Sequence, residues 1–135
     1  MTGNGRLQSV LVVNDEPFIR HILSRMVARE GYSVKEASDG EDALNHMKKE
    51  PVDFVISDVE MPKMDGRQLL TRVKELYPDT KVLFITAPGA RPCTSEAGQA
   101  DADDYITKPF KNLEISKTLS NLSVKRSRPI KSRSN

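Results

Sequence analysis

Apolar and polar positions along the chain follow two alternating periods. Ser9–Val13 (SVLVV) is a continuous apolar run that closes on Asn14-Asp15-Glu16-Pro17, the pattern of a strand covered on both faces. From Pro17 the period lengthens, and Phe18, Ile19, Ile22, Leu23, Met26 and Val27 fall on one helical stripe. Proline suits the first turn of that helix and Gly31 its stop. Tyr32–Ala37 predicts a short second strand, Ser38-Asp39-Gly40 a turn, and Glu41–Lys49 a second helix with Ala43, Leu44 and Met47 inward, ended by Pro51. Asp53–Ser57 (DFVIS) is the third strand, closing on Asp58, and the loop Met61-Pro62-Lys63-Met64-Asp65-Gly66 follows it. Gly66–Leu76 reads as a helix with Leu69, Leu70, Val73 and Leu76 at helical spacing, stopped by Pro78. Lys81–Thr86 (KVLFIT) is a fourth strand and Asp104–Thr107 a short fifth, with Asn112–Val124 a last helix carrying Leu113, Leu119 and Leu122. Between the last two strands a helix is expected by position. Pro88, Gly89, Pro92 and Gly98 give that stretch poor helix propensity, so it should begin late, near Thr94 or Ser95, and be the least stable of five.

Five strands, each followed by a helix through short connections, predict an α/β fold: an open, doubly wound parallel sheet with helices on both faces. No internal repeat is present. At 135 residues the chain is expected to make one domain, large enough to bury roughly two-thirds of its unfolded surface. No stretch reaches the apolar length of a membrane span, and Met1–Ser9 lacks the basic and apolar regions of a secretory signal. Cys93 is the sole cysteine, so neither an internal disulfide nor a four-thiolate zinc site is available. A reducing cytoplasm is the simplest home. These features weigh against secreted disulfide scaffolds, membrane proteins, collagens and multi-domain enzymes.

The net charge of +2 hides an uneven distribution. Lys125, Arg126, Arg128, Lys131 and Arg133 lie in an acid-free tail, leaving 16 basic residues against 19 acidic ones in the body. An acidic body with a basic tail differs from a basic DNA-binding domain. The expected division is a flexible 1–6, a folded domain over 7–122, and a basic, disordered tail over 123–135.

In a sheet of this kind, binding sites form beyond the carboxyl ends of the strands, where strand order reverses. The residues expected there are Asn14, Asp15 and Glu16 after the first strand, Asp58 after the third, Thr86 and Ala87 after the fourth, and Lys108-Pro109 after the fifth. Carboxylates packed together need a cation, and hard oxygen ligands favour Mg²⁺, which binds through one or two of them and keeps its waters. A carboxylate nucleophile beside such a metal can accept a phosphoryl group. The metal and an ammonium neutralise the charge on the phosphoryl oxygens, and a hydroxyl hydrogen-bonds one of them.

The segments LVVNDEP, VISDVEMPKMDG, LFITA and DYITKPF, in that order, resemble the receiver domain of two-component response regulators of the chemotaxis-regulator kind. The resemblance covers about Leu7–Leu122, and four motifs in register are far more specific than any one of them. It implies a flavodoxin-like fold with five strands in the order 2-1-3-4-5. It implies that Asp58 accepts phosphate from the phosphohistidine of a sensor kinase or phosphotransfer protein, and that Asp15 and Asp58 ligate Mg²⁺ with Glu60 through its backbone carbonyl. Thr86, Ala87 and Lys108 would contact the phosphoryl group, and Tyr105 would be the switch aromatic that moves with Thr86. Output would pass to another protein through the fourth helix, fifth strand and fifth helix. The chain would then be a phosphoacceptor switch catalysing only its own phosphotransfer and dephosphorylation.

Taken singly, each residue also has a plainer reading. Asp58 can be a turn residue, Asp15 and Glu16 acids favouring a helix N-terminus, Thr86 a strand-end hydroxyl bonded to backbone, Lys108 a solvated cation, and Tyr105 an ordinary strand aromatic. His21 and His46 lack a paired ligand pattern; Cys93 reads as an incidental small residue, and Met61 with Met64 as packing. Two departures from the family pattern matter. Asn14 stands where most receivers carry a second acid, supplying an acceptor oxygen without charge and predicting weaker metal binding; its place is the second shell of the metal. The other departure is the proline- and glycine-rich entry to the fourth helix.

Four functions compete. A phosphorylatable switch leads, expected to stand alone because only 13 residues follow Leu122, too few for a DNA-binding or enzymatic output domain. A receiver-shaped interaction module that is never phosphorylated would not need Asp58, Thr86 and Lys108 together. A phosphohydrolase of the aspartyl-phosphate type fits the Asp58-Val59-Glu60 spacing but lacks chain for a cap over its substrate. A flavin carrier would need a Ser/Thr/Gly-rich phosphate loop after the first strand, which is absent.

Overall fold

A computed structural model of the chain describes residues 8–59, 66–86, 103–107, 115 and 117–122. Five strands, β1 (Ser9–Val13), β2 (Ser33–Ala37), β3 (Phe54–Asp58), β4 (Lys81–Thr86) and β5 (Asp104–Thr107), form one sheet in the order β2-β1-β3-β4-β5. All four pairings are parallel. The helices between them are α1 (Pro17–Arg29), α2 (Gly40–Lys49) and α3 (Gly66–Leu76); residues 117–122 are also helical.

The period of two in the strands sorts the core into two layers. Leu11, Val13, Val55, Val82 and Phe84 pack with Ala43 and Met47 of α2 and with Leu69, Leu70 and Val73 of α3. Val10, Val12, Phe54, Ile56, Leu83, Ile85 and Ile106 pack on the other face with Leu23 and Val27 of α1 and with Ile115, Leu119 and Leu122. Burying a Val, Leu, Ile or Phe side chain in full is worth about 1.5–3 kcal/mol. Continuous apolar strands are therefore the residues that hold both helical layers to the sheet.

Local signals set the ends of the helices. Pro17 opens α1, and Gly31, at φ 100°, turns the chain beyond it, a conformation that costs little only without a side chain. Asp39 caps α2 by accepting the Asp42 N–H at 2.8 Å, while the Asp42 carboxylate accepts the Ser38 N–H at 3.0 Å, a reciprocal arrangement like a capping box. The amino edge of the sheet is tied by Asp53, whose carboxylate accepts the Ser9 N–H at 2.9 Å. Asp103 adds a second tie there, accepting from Lys74 Nζ and from the Val82 N–H, each at 2.7 Å.

Two residues of the helical stripes face outward. Phe18 is 74% exposed and Leu76 53% exposed. Phe18 is the second residue of α1 and Leu76 the last of α3, so both sit on terminal turns. Ser24 is buried in their stead, on the same stripe as Leu23 and Val27. The helix expected within 87–102, the tail over 123–135, and Leu113, Cys93, Met61 and Met64 lie outside the described residues.

Candidate functional site at the carboxyl edge of the sheet

Strand order reverses at β1, which has β2 on one side and β3 on the other. In open α/β sheets this reversal opens a crevice beyond the carboxyl ends of the two strands. Val13 is level with Ser57, so the next residues along, Asn14 and Asp58, stand side by side at that edge. Asp58 is in turn level with Ile85, and Thr86 with Thr107, which brings the ends of β3, β4 and β5 into the same row. Asp15 is exposed and Asp58 half-buried, whereas Asn14 is only 1% exposed.

Asn14 is held on three sides. Its N–H donates to the Ala37 carbonyl at 3.1 Å, its Oδ1 accepts the Glu16 N–H at 2.9 Å, and its carbonyl accepts from Arg20 Nη1 at 2.8 Å. The turn that presents Asp15 is therefore locked by side chains rather than left to solvent. Among the described residues, Asn14 Nδ2 is buried with no hydrogen-bond partner, a donor at a carboxylate-bearing edge.

Asp58 is fixed through its backbone. The Ser57 hydroxyl, fully buried, donates to the Asp58 carbonyl at 2.8 Å. Gly66 lies directly against the same peptide: a Cβ added there would stand 2.5 Å from the Asp58 carbonyl oxygen and 2.9 Å from both Cα and the carbonyl oxygen of Val59. The Gly66 N–H donates to the Val59 carbonyl, so the chain leaving Asp58 is brought back to the start of α3 at the site itself.

Tyr105 is half-buried against the α2–α3 layer. Its ring meets Phe84 at 6.0 Å between centroids, tilted by 54°, an arrangement that favours offset aromatic contact. Glu60, Ala87 and Lys108 lie outside the described residues, as does the side chain of Thr86; the Thr86 backbone ends β4. Among the described residues no three His, Cys, Asp or Glu side chains gather as a metal cluster. Two hard carboxylates, Asp15 and Asp58, do lie at neighbouring strand ends, and two suffice for Mg²⁺, which fills its remaining positions with water. The donor set therefore fits that ion. Asn14 Oδ1 is already engaged by the Glu16 N–H, which leaves its side chain a structural part in the turn.

A family model for the response regulator receiver domain matches residues 10–120. The chain belongs to this family. Receiver domains are the phosphoacceptor switches of two-component signalling, and they generally bind Mg²⁺. The chain is 37% identical over 107 residues to response regulator GtcR of Aneurinibacillus migulanus, covering 79% of this chain and 44% of that protein. It is 38% identical over 111 residues to the DNA-binding transcriptional regulator NtrC of Proteus hauseri, covering 82% of this chain and 23% of that one. It therefore spans less than half the length of these curated relatives. Among solved structures, chemotaxis protein CheY4 of Vibrio cholerae superposes with a TM-score of 0.77 at 33% identity, over 86% of this chain and 98% of that one. The strand order seen here is that of the receiver fold. Among the described residues of this receiver, no helix is long and apolar enough to cross a membrane.

Three residues that shape the edge escaped the sequence reading: Arg20, Ser57 and Gly66 in its role against Asp58. Arg20 carries a usable signal, because it shares the inward stripe with Leu23, Ser24 and Val27, and a cation on a buried stripe needs a partner. Ser57 is a polar residue within an otherwise apolar strand, which is a similar signal. The close approach of Gly66 depends on a contact between segments and leaves no periodic trace.

Proposed function

We propose that this receiver accepts a phosphoryl group on Asp58 from the phosphohistidine of a sensor histidine kinase or phosphotransfer protein, and signals by contact with another protein. The observation that carries the reading is Asp58 at the carboxyl end of β3, next to the end of β1 that runs into Asn14 and Asp15, where the sheet reverses. A carboxylate oxygen of Asp58 attacks phosphorus in line with the phosphorus–nitrogen bond of the donor. That bond breaks with its electrons passing to the donor imidazole, leaving an acyl phosphate on Asp58. Asp15, Asp58 and the Glu60 carbonyl would hold Mg²⁺, which when bound would supply positive charge for the phosphoryl oxygens. Thr86 and Ala87 at the end of β4, and Lys108 after β5, take the phosphoryl oxygens. Movement of Thr86 toward them opens space for Tyr105, carrying the signal to the fifth strand and its flanking helices. The domain spans residues 7–122, and the basic segment 123–135 stands outside it.

Incubation with acetyl phosphate or phosphoramidate and Mg²⁺ tests the reading. Intact-mass spectrometry should show one added phosphoryl group, removed by hydroxylamine and absent when the metal is chelated. No uptake from either donor would favour the interaction module instead. Asn14→Asp adds a negative charge at the edge where Asp15 and Asp58 would hold the cation. Mg²⁺ affinity should rise about tenfold, equivalent to roughly 1.4 kcal/mol, when titrated by calorimetry.

A further inference from the structure

Arg20 is the one basic residue whose contacts reach the turn carrying Asp15 among the described hydrogen bonds. Its Nη1 donates to the Asn14 carbonyl at 2.8 Å, and its Nε donates to Glu36 Oε1 at 3.1 Å. Its side chain is 19% exposed and that of Glu36, which comes from β2 on the outer side of β1, is 37% exposed. The guanidinium fork offers donors in fixed directions. One direction is satisfied by the Glu36 carboxylate and another by the peptide immediately before Asp15. Because the Asn14 N–H and Oδ1 are also engaged, the Arg20 contact completes the immobilisation of that residue.

We infer that Arg20 is a positioning residue for the cation site: held by Glu36, it fixes the Asn14–Asp15 peptide so that the Asp15 carboxylate is aimed at Mg²⁺. The inference rests on the metal-dependent phosphoacceptor reading above. It concerns the alignment of a ligand rather than any contact of Arg20 with metal or phosphate. Electrostatics alone predicts the opposite effect, because a cation near a cation site weakens binding and its removal should strengthen it. The sign of the change therefore separates the two roles. Residues that orient metal ligands from outside the coordination sphere commonly change affinity by about 10–100-fold when replaced.

Calorimetric Mg²⁺ titration of the whole chain, alongside thermal melting, is the test. Arg20→Met should weaken Mg²⁺ binding about tenfold, despite the loss of a positive charge. Arg20→Lys, with the charge kept but the fork lost, should recover part of that loss. Glu36→Ala should weaken binding in the same direction, and the Arg20→Met/Glu36→Ala double variant should be no worse than Arg20→Met alone, since both act through one contact. Unchanged or tighter binding in Arg20→Met, with only its melting temperature lowered, would overturn the inference and leave Arg20 a structural residue. Should Arg20→Met not fold, Glu36→Ala and Arg20→Lys carry the same decision, since unchanged affinity in both overturns it. A wild-type chain that binds no Mg²⁺ would overturn the metal reading itself, and this inference with it.

Discussion

Asp58→Asn is expected to abolish phosphoryl uptake while leaving the fold almost untouched. The acceptor must be a carboxylate oxygen, because a neutral amide offers no anionic oxygen to attack phosphorus and yields no acyl phosphate. The structural cost should be small because asparagine preserves the backbone contacts described for residue 58. These are its register with Ile85 in β4 and the Ser57 hydroxyl on its carbonyl. Asparagine has nearly the same shape and keeps both. Stability should therefore stay within about 1 kcal/mol of wild type, measured by urea unfolding. Intact-mass spectrometry with acetyl phosphate and Mg²⁺ should show one phosphoryl group on wild type and none on the variant. Uptake that persists in Asp58→Asn would move the acceptor to another carboxylate of the same edge, Asp15 first. Loss of stability by several kcal/mol would mean instead that the carboxylate itself is structural.

How much of this was legible from residues alone depends on the range of the interaction. The bounds of α3, β4 and β5 match the expected ones, because each is punctuated by glycine, proline or a change of period. β3 is set one residue later than expected, at Phe54–Asp58 rather than Asp53–Ser57, and this places Asp58 within the strand. The orientation of Phe18 and Leu76 was not legible. Periodicity assigns a face to a helix, but it does not say how far the terminal turns are covered. The carboxylate edge was legible because parallel α/β topology collects the carboxyl ends of all strands on one side, whatever the contacts between them. What holds that edge was not legible. Arg20 reaches a peptide six residues earlier and a glutamate on β2, and these partners become neighbours only once the sheet has formed.

Gly66→Ala should be strongly destabilising, and helix propensity predicts the wrong sign for it. Gly66 is the first residue of α3, and alanine is favoured over glycine within a helix by up to about 1 kcal/mol. Against that gain stands the steric position of the new methyl group. It would lie 2.5 Å from the Asp58 carbonyl oxygen and 2.9 Å from two backbone atoms of Val59. All three belong to main chain, so no flexible side chain can swing aside; either α3 or the end of β3 must move. Overpacking of this kind costs typically about 1–3 kcal/mol and sometimes more, so the clash wins. The expected fall in stability is about 3 kcal/mol, or a melting temperature lower by roughly 10 °C or more. The displacement would also act on chemistry, because the peptide pushed aside is that of Asp58, the proposed phosphoacceptor. A misplacement of about 1 Å can slow a reaction on the order of a hundredfold, so phosphorylation by acetyl phosphate should be slow even well below the variant's melting temperature. Gly31→Ala is the control with the reverse geometry. Gly31 has φ +100° and nothing within 4 Å of an added Cβ, so its substitution strains the backbone by about 1–2 kcal/mol far from Asp58. It should lower stability modestly and leave the phosphorylation rate unchanged. A Gly66→Ala chain at least as stable as wild type, phosphorylated at the wild-type rate, would show that the segment after Asp58 yields freely. It would also remove Gly66 from the residues that place the acceptor.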